Sequence, residues 1–295
     1  MTTLRYEVVA IFGPTAAGKS AVARRVADEL GTDVVSADAL QVYRGLPILT
    51  NQPAEPTALV GIRDLADSMS VGEYAQLAHE TIDDVVRRHG AAVVAGGTGL
   101  YLRAALADLE IPPAVQDSER RRTEALYDAD PVVAHALLVE LDAAAAQAVH
   151  VNDRRRVVRA LELASAGSTL VPSADRLWSD ATRRLTVIVG LDLAAEELDR
   201  RIAARTDGMI RRGVADEVRR AVRDPVSHTA EKALGLRELA TLPLDEAREA
   251  IVARTRRYAA YQRKWMRRIP GIVLVDAARP VEEIADDILD LARAR

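Results

Sequence analysis

The chain of 295 residues has no cysteine, one phenylalanine and two tryptophans, and aromatic residues make up only 3% of it. Without thiols, disulfides and thiolate metal sites are excluded. No apolar run approaches the roughly 20 residues that a membrane-spanning helix needs. The opening MTTLRYEVV enters a strand-like run directly and lacks the basic-then-apolar layout of a secretory signal, so a cytoplasmic protein is expected. Internal repeats and low-complexity linkers are also missing. The remainder is ordinary for a globular chain, with 49% hydrophobic and 28% charged residues and length for one sizeable core plus a smaller appendage.

A net charge of −4 argues against nucleic acid only as an average. Residues 254–268, RTRRYAAYQRKWMRR, carry seven basic side chains and no acidic one. A second basic cluster joins Arg154, Arg155 and Arg156 with Arg159. Such a run is ordinarily a solvated helix face. Here Tyr258, Tyr261 and Trp265 interleave with the cations, which equally suits bases stacking beside phosphate contacts.

Near the start, Val8-Val9-Ala10-Ile11-Phe12 runs into GPTAAGKS at residues 13–20, and a helical stretch follows. This is a full G-x-x-x-x-G-K-[ST] phosphate loop between a strand and a helix. Its glycines permit a tight turn that points successive N–H groups at a phosphate chain. Gly13, Pro14, Thr15, Ala16, Ala17, Gly18, Lys19 and Ser20 are therefore candidate diphosphate-binding residues, with Ser20 placed to hold Mg²⁺. The motif locates a phosphate and leaves open what is done with it.

Further β-rich runs are Asp33–Ser36, Ala91–Ala95, Leu185–Leu191 and Gly271–Val275. Their near-continuous apolar character predicts strands buried on both faces, hence an α/β fold with a parallel sheet flanked by helices. Ligands in such sheets bind beyond the C-terminal strand ends. Asp38 and the turn Gly96-Gly97-Thr98-Gly99 fall there. An acid at that place is a metal ligand, a general base or the cap of the next turn. Between about 114 and 170 helical stretches follow one another without a strand run. The expected organisation is an α/β core over 1–113 and 181–295, with an all-helical insertion over 114–180.

In order and spacing, GPTAAGKS, SADALQVYRG, AGGTGLYLRA, VNDRRRVVRALEL, LDRRIAARTDGMIRRGVADEVR, KALGLRE and YQRKWMRR make the chain resemble the tRNA dimethylallyltransferase (tRNA isopentenyltransferase) family along nearly its whole length. The resemblance implies a P-loop NTPase-like core whose loop holds the diphosphate of dimethylallyl diphosphate. Attack by the exocyclic amine of an adenosine beside the tRNA anticodon would then release that diphosphate. It implies catalytic roles for Asp38, Lys19, Thr15, Thr98 and Arg205, the last of which otherwise reads as one half of a helix-face ion pair. It implies tRNA contacts from Asp38, Ala39, Leu40, Gln41, Thr98, Arg120, Arg156, Arg159, Gln262, Arg263, Trp265 and Arg267. It further implies Mg²⁺ as cofactor, the anticodon stem-loop as partner, no membrane association and a monomer.

The chain departs from the family pattern at several places. Asp38-Ala39-Leu40-Gln41 stands for D-S-x-Q, Gln52 stands where a lysine is usual, and Pro56–Gly61 lacks the usual histidines. Gly235-Leu236 replaces G-Y, and Tyr261 replaces a common arginine. Leu49-Thr50-Asn51 is similar to adenylate isopentenyltransferases, so free AMP, ADP or ATP is the alternative acceptor. A small-molecule kinase is the other reading of the loop.

Overall fold

The computed structural model describes residues 4–112, 117–171 and 176–293. Five parallel strands form one sheet: β1 (Val8–Phe12), β2 (Val34–Ser36), β3 (Ala92–Gly96), β4 (Thr186–Asp192) and β5 (Val273–Asp276), in the order β2-β3-β1-β4-β5. β1, with every residue buried, lies at the centre. It pairs Val8 with Ala92 and Thr186, and Phe12 with Gly96 and Gly190. The chain lays β2 and β3 on one side of β1 and β4 and β5 on the other. The order therefore reverses at the C-terminal end of β1, where open parallel sheets form their binding crevice.

The first helices are α1 (Lys19–Leu30), α2 (Val71–His89) and α3 (Gly99–Leu106). Ser70 and Glu73 form a reciprocal capping box at the start of α2, and Gly90 ends it in the left-handed conformation. Next come α4 (Asp117–Ala129), α5 (Pro131–Leu141), α6 (Ala143–Ala148) and α7 (Arg154–Ser165). Then follow α8 (Ala195–Arg211), α9 (Val214–Ala221), α10 (Leu236–Thr241), α11 (Leu244–Met266) and α12 (Val281–Arg293).

Two compact units result, one comprising residues 1–108 and 177–295 and the other Leu109–Arg176. The α/β unit packs β1 and β4 against α1, α8 and α12 through residues such as Ile11, Val26, Val189, Ile202 and Ile288. The helical unit has a core of its own around Tyr127, Leu138, Val157 and Leu161. Asp153 caps α7 through Arg156 N–H at 3.1 Å, and Gly167 beyond it is left-handed.

Two expectations need correction. The expected break at 113–114 lies outside the described residues, but the α/β unit ends at Asp108 and resumes at Leu177, not at 181. The cause is Arg103 on α3, which is fully buried and donates to the carbonyls of Leu177, Ser179 and Ala181 at 3.0, 2.9 and 3.3 Å. Arg183 adds an ion pair to Asp108 at 3.2 Å. The second correction concerns β5, which starts at Val273 and is not buried on both faces. It is an edge strand pairing only with β4, and Leu274 is 52% exposed.

Candidate active site

The turn after β1 is tight enough to demand unusual backbone. Gly18 (φ 94°) and Ala16 (φ 67°) are both left-handed, and Ala16 adopts that conformation without being glycine. Gly18 precedes α1, so the helix begins at Lys19 with its unpaired N–H groups facing the C-terminal edge of the sheet. Lys19 folds back, and its Nζ donates to Pro14 O at 2.8 Å. Burial pulls its pKa down to about 8; Asp38 partly offsets this, and Arg205 adds to the fall.

Asp38 follows β2, and its Oδ1 accepts from Leu40 N–H at 2.9 Å, a local Asx cap. That side chain also borders the cavity beside Lys19, so the capping role and a chemical one coexist. Thr98 precedes α3 but does not cap it. Its Oγ1 instead accepts from Ala39 N–H at 3.2 Å, tying the β3 turn to the β2 turn. Arg205 makes no helix-face ion pair among the described residues. Its Nη1 donates across the site to Thr15 Oγ1, and burial holds its pKa below the ordinary arginine value. Thr15, Lys19, Ser20, Asp38 and Arg205 thus share one cavity of about 430 Å³, whose other walls include Leu49, Met209 and Ile251.

Glycines let these turns approach one another. A Cβ on Gly96 would lie 2.0 Å from Ala37 O, so only glycine lets the β3 end pass the β2 turn. A Cβ on Gly99 would lie 2.3 Å from the Trp265 ring. The far wall is held by a hydrogen-bond network in which sequence reading missed Glu217. Glu217 on α9 is buried and accepts from the N–H groups of Ile48 and Leu49, both at 2.8 Å. Gln41 accepts from Ser36 Oγ at 3.0 Å and donates to Asn51 O at 3.0 Å. Gln52, at the usual lysine position, donates to Tyr43 O at 2.7 Å, so it staples the loop without charge.

The basic–aromatic stretch of α11 divides by helix face. Tyr258, Gln262 and Trp265 turn inward. Burial raises the Tyr258 hydroxyl pKa, with Asp38 adding to the rise and Thr98 and Gln262 as hydrogen-bonding neighbours. Gln262 is 2% exposed and uses both ends of its amide within the site. Trp265 packs on Trp178, ring centroids 4.7 Å apart, while Arg268 lies 3.8 Å over the Trp178 ring. Of the three aromatics that suggested base stacking, only Tyr261 is largely exposed. Arg254, Arg256 and Arg263 pair with Glu238, Asp199 and Asp192. Arg267 is exposed. The arginines of the helical unit are built separately. Arg120 and Arg159 flank the buried Glu162 at 3.1 and 3.0 Å, and Arg156 is exposed.

Comparison with known proteins fits this geometry. Residues 41–269 match the family model for IPP transferase. The chain belongs to the IPP transferase family. The tRNA dimethylallyltransferase of Acidothermus cellulolyticus is 39% identical over 94% of this chain and 91% of its own length. That of Salinispora arenicola is 40% identical over 92% and 82%. Among solved structures, the tRNA isopentenylpyrophosphate transferase of Bacillus halodurans superposes with TM-score 0.68 at 28% identity, covering 98% of this chain and 96% of that one. A eukaryotic dimethylallyltransferase acting on tRNA gives TM-score 0.73 at 26% identity, covering 92% and 73%. The IPP transferase match begins at Gln41, after the glycine-rich loop and Asp38. The near full-length relatives cover up to 97% of this chain.

Proposed function

We propose that this IPP transferase moves a dimethylallyl group from dimethylallyl diphosphate to the exocyclic amine of the adenosine beside the anticodon of tRNA. One convergence carries the reading: the Lys19 amine, the Arg205 guanidinium and the Asp38 carboxylate border one cavity with the head of α1. Cations at a helix N-terminus suit a diphosphate, and a carboxylate among them suits a proton acceptor. The names of the relatives support tRNA as the acceptor.

In the transfer the adenosine nitrogen bonds to the prenyl carbon as the carbon–oxygen bond to diphosphate breaks. The electron pair leaves with diphosphate, and the amine proton passes to Asp38. Backbone N–H groups at the head of α1, with Lys19 and Arg205, meet the charge growing on the leaving group. Thr15 lines the meeting point of the two substrates, and Thr98 supports it by holding Ala39 N–H in the turn that carries Asp38. Phosphate-bound Mg²⁺ takes few protein ligands and keeps several waters. The Ser20 hydroxyl, on the same cavity as Asp38, fits that donor set, and no group of three or more carboxylates or histidines able to hold a metal ion exists among the described residues. When bound, the ion would add positive charge at the diphosphate. Arg120, Arg156 and Arg159, with Arg263, Trp265, Arg267 and the 38–41 turn, would contact the RNA. The enzyme is proposed to be a cytoplasmic monomer, which sedimentation of the purified protein tests; no helix among the described residues is long and apolar enough to cross a membrane.

The deciding experiment incubates the protein with Mg²⁺, dimethylallyl diphosphate and either unmodified tRNA or AMP, followed by mass spectrometry of the nucleosides. Prenylated adenosine in tRNA is expected. Product on AMP alone would overturn the acceptor, and ATP-dependent phosphorylation of a small acceptor without prenyl transfer would overturn the reaction.

A further inference from the structure

The peptide unit between Pro14 and Thr15 is gripped from three sides. Its carbonyl accepts from Lys19 Nζ at 2.8 Å. Its N–H donates to Gln262 Oε1 at 2.8 Å, 247 residues away in sequence. The adjoining Thr15 hydroxyl accepts from Arg205. The other end of the Gln262 amide donates to Gly97 O at 2.7 Å, in the turn after β3. A Cβ on Gly97 would come within 2.4 Å of Gln262 Nε2 and 3.5 Å of Lys19 Nζ, so the turn is shaped around this amide.

A side-chain amide offers an acceptor to one loop and, from a separate atom, a donor to the other without bringing charge. A leucine would leave both backbone groups unpaired. A carboxylate would set an oxygen against the Gly97 carbonyl. Gln262 occupies the first N–H of the glycine-rich loop after Pro14, and the Ala17 N–H donates to Pro14 O at 3.2 Å, so the N–H groups at the head of α1 are the ones left for a ligand. Being 2% exposed and doubly engaged, it has no free polar group for RNA, unlike the arginines beside it.

We infer that Gln262 is a positioning residue for the diphosphate site: it fixes the orientation of the Pro14–Thr15 peptide against the Gly97 turn, and through that peptide sets Lys19 and the Thr15 hydroxyl. The inference rests on the proposed use of the loop for a diphosphate and replaces an RNA contact for this residue. It assigns α11 a part in donor binding that its basic composition conceals.

The test reads binding of inorganic diphosphate, so it does not depend on turnover. In Gln262→Leu, diphosphate affinity should fall about ten- to a hundredfold, the range expected for unpairing buried hydrogen-bonding groups. Binding of an anticodon stem-loop should stay within about twofold, too small a change to represent a lost direct contact. Unchanged diphosphate affinity with weakened RNA binding would overturn the inference. Gln262→Glu keeps the shape and decides the matter if the leucine variant does not fold. Its carboxylate accepts from Thr15 but donates to Gly97 only when protonated. The ratio of its diphosphate affinity to that of wild type should therefore rise as pH falls. Lys19 on α1, Arg205 on α8, Asp38 after β2 and Tyr258 on α11 all face this position, and taking the ratio removes the titrations shared by both proteins. A ratio flat across pH overturns the inference. Wild-type protein that binds diphosphate but prenylates no tRNA would sink the proposed reaction and leave the Gln262 result to stand by itself.

Discussion

Lys19 meets the cavity with an amine whose pKa burial has brought down to about 8, and only its protonated form attracts an anion. Raising pH through that value discharges the free enzyme, so kcat/KM for dimethylallyl diphosphate should fall on the alkaline side near pH 8. Lys19→Arg should move that limb upward, since a guanidinium keeps its proton. Asp38 raises the Lys19 pKa, so Asp38→Asn should do two things at once. It should lower kcat by about 10²–10⁴-fold through loss of the base, and shift the remaining alkaline limb to lower pH. A pH series of steady-state rates reads both effects. If Asp38→Asn left the rate unchanged, the carboxylate would not be the proton acceptor. Lys19, Ser20 and Asp38 were readable from the motif and its strand context. Gln262 was readable only as an RNA contact, and Glu217 not at all. Their partners are backbone groups far away in sequence, and an amide among arginines looks like one more polar surface residue.

Among the elements, α7 offers a sharp test. Glu162 is 1% exposed and faces Arg120 and Arg159, whose side chains are 41% and 28% exposed. Removing one member of a fully buried ion pair costs about 3–5 kcal/mol. Because both arginines reach solvent, Glu162→Ala should cost the helical unit less, about 1–3 kcal/mol. It should also weaken tRNA binding by releasing two arginines from one fixed geometry. Urea unfolding and stem-loop affinity, measured together, check this. In the α/β unit, Gly96→Ala would push a methyl group into Ala37 O, backbone against backbone, at a cost of about 3 kcal/mol in the same urea assay. The strands were legible because apolar β-branched runs are bounded by glycine and polar turns. The edge position of β5 was not, since VLV reads the same whether one neighbour or two lie beside it. Nor was the junction at Leu177, which depends on a buried arginine meeting carbonyls more than seventy residues downstream.

For the molecule as a whole, attraction to RNA has to arise from local charge, because the chain carries a net −4. Cations whose neighbours are carboxylates add little to such a field. Among the proposed contacts, the exposed Arg156 and Arg267 should therefore contribute most to the salt dependence of tRNA binding. Arg156→Ala should reduce the slope of log K against log salt by about one and leave diphosphate binding unchanged. The same slope before and after substitution would remove Arg156 from the RNA contacts.

Strand order also sets a schedule for synthesis. β1 is made first and occupies the middle of the sheet, yet its second partner, β4, spans residues 186–192, beyond the entire helical unit. While the ribosome works through the intervening segment, one edge of a wholly apolar strand stays open to other chains. A nascent protein halted in that interval is a sticky half-sheet, and any chaperone that serves this family has its natural window there.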